Sequence, residues 1–274
     1  MFFPSISPTH HSEFDLENVI RNKSLEEKFE NLPKAVKTGT TIVGVLFDKG
    51  VVLSADTRAS AGSIVADKYC QKIHYLSSHM RCCGAGTAAD CDKITELGAA
   101  VLEKHSMDTN RPPRVISAVT YFRQRLWQHQ GHIGAALIIG GYDPVDGPSL
   151  YEVHPHGSYW TCPFVTMGSG SLAAMAILES HWKEGLTQDE AITLATEAIR
   201  AGIFNDMGSG GNIDCSVITA EGVQEMRPFE RPAQRKYRAP AGTFHYKPTP
   251  VKSEYTEVAK PLLLVVREEV VAEE

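Results

Sequence analysis

The segment TGTTIVGVLF (38–47) is the first strongly apolar run in this 274-residue chain. It is followed by the loop Asp48-Lys49-Gly50 and by a second apolar run, VVLSADT (51–57). Two β-branched stretches joined by a short loop that contains glycine predict a β-hairpin. Residues 1–39 are charged and poor in periodic pattern, so the hairpin marks the boundary at which a folded domain begins.

Downstream of the hairpin, the pattern predicts short strands over 64–67, 72–76 and 80–86, followed by two helices. The first helix starts near Thr87, and the residues predicted on one face of it are Ile94, Gly98, Val101, Leu102 and His105. The second runs from Pro112-Pro113 to about Gly131, because proline is well placed in the first turn of a helix. Its predicted buried residues are Val115, Val119, Phe122 and Leu126.

Strands return over 133–143, 149–155 and 159–168, and a helix is predicted over about 171–183. The next helix opens with Thr187-Gln188-Asp189-Glu190, a capping box in which hydroxyl and carboxylate satisfy free backbone amides. Its predicted buried residues are Ala191, Ala195, Ala198 and Ile199, and NIDCSVIT (212–219) is another predicted strand. This order predicts an α+β fold in which two sheets pack face to face, each covered by a helix pair.

The chain is expected to be irregular after about residue 224, because prolines recur there: Pro228, Pro232, Pro240, Pro248 and Pro250. An apolar run, Leu262–Val266, precedes an acidic tip. Two interpretations stay open. The segment is a disordered tail, or it is an arm that lies on a neighbouring subunit and so keeps the apolar run out of water. The domain is therefore assigned to 40–224, with 225–274 as a C-terminal extension.

Composition excludes several function classes. The formal net charge of −6 provides no basic surface for nucleic acid and no polybasic face for an anionic membrane. No stretch reaches the roughly 20 apolar residues that cross a bilayer, and the N-terminus lacks the pattern of a signal peptide. We therefore expect a soluble intracellular protein that has protein partners and binds neither nucleic acid nor membrane.

Metal and cofactor sites are not predicted. The six cysteines lack paired Cys-x-x-Cys spacing, so buried reduced thiols are expected rather than disulfides or zinc ligands. His154 and His156 lie two residues apart, and this pair alone does not predict a metal site. The common motifs for nucleotide binding, zinc proteases and serine hydrolases are absent from the sequence.

The remaining candidate for chemistry is Thr40, directly in front of the first strand. Alone it is weak evidence, because threonine commonly opens strands. Six segments in order strengthen it: TGTT (38–41), ADTR (55–58), ADK (66–68) with Lys72, CCGAGTAAD (82–90), MGSGS (167–171) and NDMGSG (205–210). On these segments the chain, from about Gly39 to Asn212, resembles catalytic beta subunits of the eukaryotic 20S proteasome, most closely the trypsin-like kind, beta type 2.

The resemblance implies a four-layer αββα sandwich of the N-terminal nucleophile hydrolase type, in agreement with the predicted element order. It implies that residues 1–39 are a propeptide removed by cleavage between Gly39 and Thr40, which leaves Thr40 as the nucleophile. The other catalytic residues that it implies are Asp56 and Lys72 as charged neighbours, Gly86 as the amide donor of an oxyanion hole, and Ser169, Asp206 and Ser209 as supporting hydrogen-bond partners.

The chemistry of an N-terminal threonine explains these roles. A threonine hydroxyl needs a base, and an α-amine with a pKa of about 7.7–8.0 can take its proton at neutral pH. That amine exists only after the Gly39–Thr40 bond is broken, so the precursor is expected to be inert. A lysine beside the amine would lower the pKa of the amine, and a carboxylate would hold the lysine in place. Gly39, which has no side chain, lets Thr40 approach its own preceding carbonyl.

The resemblance also implies a primary specificity pocket. Its residues here are Ala59, Cys70, His74, Gly84, Ala88 and Asp92. Gly84 would leave the pocket deep, and the Asp92 carboxylate could pair with a substrate Arg or Lys, which predicts cleavage after basic residues. The alternative is that Asp92 is a solvated helix acid.

The implied partners are the other alpha and beta subunits of the 20S core, indirectly its regulatory particle, and unfolded, ubiquitin-targeted polypeptides as substrates, in cytoplasm and nucleus. Two other interpretations stay open. A catalytically silent ring subunit is disfavoured because silent relatives lack the Gly-Thr junction or the lysine. A different N-terminal nucleophile hydrolase acting on small amides is disfavoured by the long C-terminal arm.

Overall fold

The computed structural model describes residues 14–28 and 38–232 of the chain. Along these residues the elements are α1 (Glu17–Lys28), β1 (Ile42–Phe47), β2 (Gly50–Asp56), β3 (Ala59–Ala61), β4 (Ile64–Asp67), β5 (Ile73–Ser77), β6 (Met80–Gly86), α2 (Ala88–Thr109), α3 (Val115–Gln128), β7 (Ala135–Asp143), β8 (Gly147–Val153), β9 (Tyr159–Thr161), β10 (Phe164–Met167), α4 (Ser171–His181), α5 (Gln188–Asn205), β11 (Ile213–Thr219) and β12 (Gly222–Glu230).

Two five-stranded antiparallel sheets form the centre of the fold. The first has the strand order β10-β1-β2-β11-β12, and the second has the order β5-β6-β7-β8-β9. The β1–β2 hairpin predicted from the sequence is confirmed, with Phe47 opposite Gly50 at its turn. Strands β3 and β4 form a separate two-stranded ribbon, of which the sequence pattern predicts only β4.

Four layers result from the way in which the apolar faces are buried. Helices α4 and α5 cover the outer face of the first sheet. Leu178 of α4 and Ala195 of α5 belong to the same buried cluster as Val43 of β1. Helices α2 and α3 cover the second sheet around Phe122 and Leu137. The inner faces of the two sheets meet in a third cluster, whose members include Ile42, Leu53, Ile138 and Leu150. The predicted α+β fold with αββα layers is therefore confirmed.

The inner faces approach each other closely at a glycine. A Cβ atom placed on Gly44 of β1 would lie 2.7 Å from Cδ1 of Leu150 and 3.0 Å from Cγ2 of Ile138, both on the opposite sheet. These distances are shorter than ordinary van der Waals contact. The absence of a side chain at residue 44 therefore lets the two sheets pack at this distance.

One predicted strand is in fact two. The sequence pattern predicts a continuous strand over 159–168, whereas the structure has β9 in the second sheet and β10 in the first. Pro163 lies between them, and its carbonyl accepts a hydrogen bond from the Leu46 amide at 2.8 Å. Because proline has no N–H, it interrupts a ladder of strand hydrogen bonds, and the chain crosses from one sheet to the other here.

Regular structure continues past residue 224, where the sequence predicts irregular chain. Strand β12 pairs with β11 as far as Glu230, opposite Ile213, and a register irregularity between Ile213 and Cys215 accompanies the pairing. Pro228 is accommodated because β12 is an edge strand of its sheet. The predicted arm and its apolar run Leu262–Val266 lie outside the described residues.

Three details of the helices also differ from the sequence analysis. Helix α1 lies in a segment for which no pattern was predicted, and none of its residues is buried. Helix α3 ends at Gln128 rather than near Gly131. Val101 and His105 of α2 are exposed, whereas the buried stripe includes Cys91, Thr95 and Leu102 and passes through Gly98, against which the Phe122 ring packs. The capping box at Thr187 and Glu190 is present as predicted.

Candidate active site

The candidate site lies where the first sheet begins. Ile42 is opposite Met167 of β10 on one side and Ala55 of β2 on the other. The residues that precede Ile42 therefore lie between the loop that follows β10 and the end of β2. The loop between α5 and β11 completes the site, because β11 pairs with β2 and its first residue, Ile213, lies opposite Asp56.

A buried ion pair forms the base of the site. Asp56, at the end of β2, accepts four hydrogen bonds, from Lys72 Nζ at 2.7 Å and from the amides of Thr41, Arg58 and Gly210 at 2.9, 3.2 and 3.0 Å. Both members of the ion pair are buried, with side chains 0% and 8% exposed for Asp56 and Lys72. The carboxylate therefore holds the ammonium in one position.

The carbonyl group of Gly39 is the second acceptor of Lys72. Lys72 Nζ donates to Gly39 O at 3.2 Å, and Thr40 Oγ1 donates to the same oxygen at 2.8 Å. A cation at a carbonyl oxygen draws electron density from the carbonyl carbon and stabilises an oxyanion that forms there. The hydroxyl of Thr40 thus lies beside a polarised carbonyl that belongs to its own peptide bond.

A hydrogen-bond chain supports Thr40 from the other side. Asp206, at the end of α5, accepts hydrogen bonds from the hydroxyls of Ser169 and Ser209 at 2.6 and 2.7 Å. The hydroxyl oxygen of Ser169 then accepts the Thr40 N–H at 3.0 Å. Burial alone would raise the pKa of Asp206, but the hydrogen bonds from Ser169, Ser209 and the Gly208 amide outweigh it and lower the pKa. Asp206 is therefore an ionised hydrogen-bond acceptor, and it orients the hydroxyls of Ser169 and Ser209.

Gly86, the predicted oxyanion donor, ends β6 and is exposed. Thr38 Oγ1 approaches its carbonyl oxygen at 3.5 Å, so Gly86 lies beside the segment that leads into Gly39. Its φ of +128° is in the region that favours glycine, and a Cβ atom there would lie 2.2 Å from the carbonyl oxygen of Gly134.

The structure brings together part of the predicted specificity pocket. His74 Nδ1 lies 3.9 Å from Asp92 Oδ1, and a Cβ atom on Gly84 would lie 3.5 Å from His74 Nε2. Burial lowers the pKa of His74, although the Asp92 carboxylate acts in the opposite direction. Burial raises the pKa of the Cys70 thiol, which Lys72 opposes. Ala59 lies on β3 and Ala88 begins α2, and neither takes part in the His74–Asp92 contact.

Two further polar residues in the site were not predicted to have a role. Thr41 Oγ1 lies 2.7 Å from Ser209 Oγ, and the Ser209 proton goes to Asp206, so Thr41 is the donor. Arg58 donates through Nη1 to Met207 O at 3.0 Å, and its guanidinium packs on Gly210. Both residues stand within the quoted segments TGTT and ADTR, which were the available signal, but the segments did not show what their side chains contact.

Glycine 168 brings the loop after β10 against Thr40. Its φ is +101°, and a Cβ atom there would lie 2.1 Å from the carbonyl oxygen of Thr40. The carbonyl also accepts the Gly170 amide at 3.2 Å. Backbone atoms of the loop can therefore approach Thr40 closely only because no side chain intervenes.

The described residues contain no group of three or more His, Cys, Asp or Glu side chains arranged to hold a metal ion. In the same part of the chain, no helix combines the length and apolar character required to cross a membrane.

Known proteins resemble this chain over most of its length. A family model described as "Proteasome subunit" matches residues 36–218. Proteasome subunit beta type-7 of Dictyostelium discoideum is 51% identical over 87% of this chain and 89% of its own length. Proteasome subunit beta type-10 of Mus musculus is 46% identical over 99% and 98%. Proteasome subunit beta type-2 of Saccharomyces cerevisiae is 49% identical over 83% and 89%.

Proposed function

The chain belongs to the proteasome beta-subunit family, and on this premise we propose that it is a catalytic threonine endopeptidase subunit of the 20S core that cuts its own chain between Gly39 and Thr40. Its partners are other alpha and beta subunits of the core, and its substrates are unfolded polypeptides in the cytoplasm and nucleus. The relatives above carry three different type numbers. We therefore propose the trypsin-like preference, cleavage after basic residues, as a separate and more specific statement.

The observation that supports catalysis best is the convergence on Gly39 O. Lys72 Nζ and Thr40 Oγ1 both donate to that oxygen, at 3.2 and 2.8 Å. In the self-cleavage step, Thr40 Oγ1 bonds to the carbonyl carbon of Gly39, the bond from that carbon to Thr40 N breaks, and the hydroxyl proton passes to the nitrogen. Water then hydrolyses the ester, which releases the carboxyl group of Gly39 and a free Thr40 amine.

The freed amine becomes the base for peptide hydrolysis. It stays beside Ser169 Oγ, whose oxygen is 3.0 Å from Thr40 N, and it is adjacent to the hydroxyl that it must deprotonate. The Lys72 ammonium, held by Asp56, disfavours a second positive charge on the amine. A silent structural role would leave this buried cation without a chemical purpose.

Thr40→Ala tests the activity, with Thr40→Ser as the matched control that keeps a hydroxyl. In assembled particles, Thr40→Ala should leave a chain that retains residues 1–39 and has no hydrolytic activity from this subunit. Thr40→Ser should be cut after Gly39 and remain active. Intact mass and peptide turnover measure both. A Thr40→Ala chain that is cut at Gly39, or a wild-type chain that is never cut there, would contradict the proposal and favour the silent subunit.

The proposed preference for basic residues rests on Asp92, whose exposed carboxylate lies 3.9 Å from His74 Nδ1, while His74 Nε2 lies next to Gly84. Asp92→Ala should lower the turnover of peptides with Arg before the cleaved bond more than that of peptides with Leu there. Glu96→Ala is the control, because it removes an exposed carboxylate of the same helix that pairs with Lys93 instead. Equal losses for both peptides in Asp92→Ala would show that the acid is merely solvated.

A further inference from the structure

Gly39 is held by contacts that exist only while the chain is uncut. Its N–H donates to Ser60 Oγ at 3.2 Å, and its carbonyl oxygen accepts from Lys72 and Thr40. Its third side faces Gly208, where a Cβ atom on Gly39 would lie 2.1 Å from the Gly208 Cα. The peptide groups on both sides of Gly39 are therefore clamped, although its Cα carries no side chain.

Ser60 differs from the other residues around Thr40 in what it contacts. It lies in the middle of β3, half-buried and opposite Val65 of β4. The ion pair of Asp56 and Lys72, and the bonds of Ser169 to Thr40 and Asp206, join residues that all remain after cleavage. The contact of Ser60 Oγ with Gly39 ends when Gly39 leaves.

We propose that the Ser60 hydroxyl is a positioning residue for self-cleavage and has no part in the hydrolysis of other polypeptides by the mature subunit. By accepting the Gly39 N–H, it fixes the rotation of the Thr38–Gly39 peptide plane, which immediately precedes the scissile Gly39–Thr40 peptide. That rotation keeps Gly39 O within reach of Lys72 Nζ and keeps the carbonyl carbon beside Thr40 Oγ1. The inference rests on the proposed self-cleavage and adds a residue to it.

The size of the effect follows from the nature of the contact. A neutral hydrogen bond to a hydroxyl contributes modestly, and its loss corresponds to a change of about three- to tenfold in a rate that depends on it. Ser60→Ala should therefore slow the loss of residues 1–39 by about three- to tenfold without stopping it. Ser60→Thr keeps the hydroxyl and adds a methyl group that a strand accommodates, so it should be cut at close to the wild-type rate.

Gly208 provides an independent variant. A Cβ atom there would lie 2.6 Å from the Gly39 Cα, and its next contacts are Ser169 Oγ at 3.3 Å and Asp206 Oδ2 at 3.4 Å. Gly208→Ala should thus slow self-cleavage more than Ser60→Ala does, because it displaces Gly39 itself. After cleavage Gly39 leaves, so the close contact between the new Cβ atom at residue 208 and the Gly39 Cα no longer exists.

The experiment compares two forms of the subunit in cells where the variant is the sole copy. Pulse–chase labelling follows the removal of residues 1–39 from the full chain. In the second form, ubiquitin fused directly to Thr40 is removed by cellular deubiquitinases, so the mature chain forms without self-cleavage. Purified particles of this form are assayed for kcat/KM with Arg-site and Leu-site peptides. Ser60→Ala should be slow in the first assay and equal to wild type in the second.

Each other outcome contradicts a specific statement. If wild type is cut at Gly39 and Ser60→Ala is cut equally fast, the positioning role is wrong and the proposed function stands. If Ser60→Ala lowers kcat/KM of the directly formed mature chain as much as it slows cutting, Ser60 serves substrates in general and the inference is wrong. If wild type is not cut at Gly39, the proposed function fails and this inference fails with it.

Discussion

At the scale of single residues, the site depends on one buried cation held by one buried anion. Asp56 accepts hydrogen bonds from Lys72 and from three backbone amides. If Lys72 is removed, the three amide hydrogen bonds remain, but the negative charge of Asp56 is no longer balanced. Breaking a buried ion pair from one side is more costly than the pair itself is stabilising. Lys72 is therefore expected to matter both for folding and for reactivity.

Lys72→Met should show both effects. We expect a loss of about 3 kcal/mol in the free energy of unfolding, since an unpaired carboxylate stays buried. We also expect self-cleavage to be slower by roughly 100-fold or more, since the oxygen of Gly39 loses its cation. Urea unfolding of the purified precursor and intact mass over time measure these changes. Lys93→Met, at an exposed lysine paired with Glu96, should change neither quantity appreciably; equal stability of the two variants would refute the argument.

His74 predicts a pH dependence of specificity. Burial lowers the pKa of His74 below the ordinary value of a histidine, so the imidazole is neutral at pH 7.5 and gains its proton only at a lower pH than an exposed histidine would. That proton places a positive charge 3.9 Å from Asp92, where it competes with a basic substrate side chain. The ratio of Arg-site to Leu-site turnover should therefore fall between pH 7.5 and 5.5. In His74→Asn the ratio should stay constant, and a parallel fall in that variant would exclude His74 as the cause.

At the scale of elements, α5 places Asp206 in the site at its C-terminal end, far from its N-terminal cap. It begins with the capping box of Thr187 and Glu190 and ends at Asp206, whose carboxylate orients Ser169 and Ser209. Hydrogen bonds from Lys183 and from Thr187 lower the pKa of Glu190 to about 2, so its carboxylate is charged at any working pH. The helix start is thus stabilised independently of the chemistry at its end.

Thr187→Ala should weaken this start. Loss of an N-cap hydroxyl costs about 1 kcal/mol of unfolding free energy, because the Glu190 amide loses its acceptor. Thermal or urea unfolding of the purified chain measures the loss. Thr193→Ala is the matched control on the same helix, since that exposed hydroxyl bonds only to the Asp189 carbonyl and alanine is a better helix former. A loss in Thr193→Ala as large as in Thr187→Ala would show that the cap is not the cause.

At the scale of the whole molecule, the distance between the two sheets is set by small residues facing large ones. Gly44 faces Leu150, and Gly140 faces Val51 and Leu53. The site lies at the edge of this sandwich, with Thr40 just before β1 and Asp56 at the end of β2 in the first sheet, and Lys72 directly before the first strand of the second. The spacing of the sheets therefore also sets the distance between Lys72 and Thr40.

Gly44→Val tests the packing between the sheets. Overpacking costs about 1–3 kcal/mol, because the new methyl groups collide with Leu150. Leu150→Ala alone should cost about 2–5 kcal/mol through the cavity that it leaves. In the double variant the added methyl groups enter that cavity, so the combined loss should be smaller than the sum by about 1 kcal/mol. Urea unfolding of the four chains measures the cycle, and simple additivity would contradict the contact.

Much of the architecture could be predicted because its signals are local. The hairpin after Thr40, the helix starting at Thr187 and the buried face of α3 each follow from spacing within a few residues. The strand at 159–168 could not be divided between two sheets, because alternation along a strand does not specify its neighbour. For the same reason Ser60, Thr41 and Arg58 were not assigned contacts, since their partners lie on other elements.

The amino-acid sequence by itself determined the kind and order of most of the elements, the composition boundary before Thr40, and the residue types available for chemistry, because propensity, periodicity and caps act over short stretches of chain. The tertiary structure alone decided that Ser169 meets Thr40 across 129 residues and that Lys72 meets Asp56 and Gly39 at once. Such meetings depend on strand register and on the distance between packed layers, which only the folded chain as a whole defines.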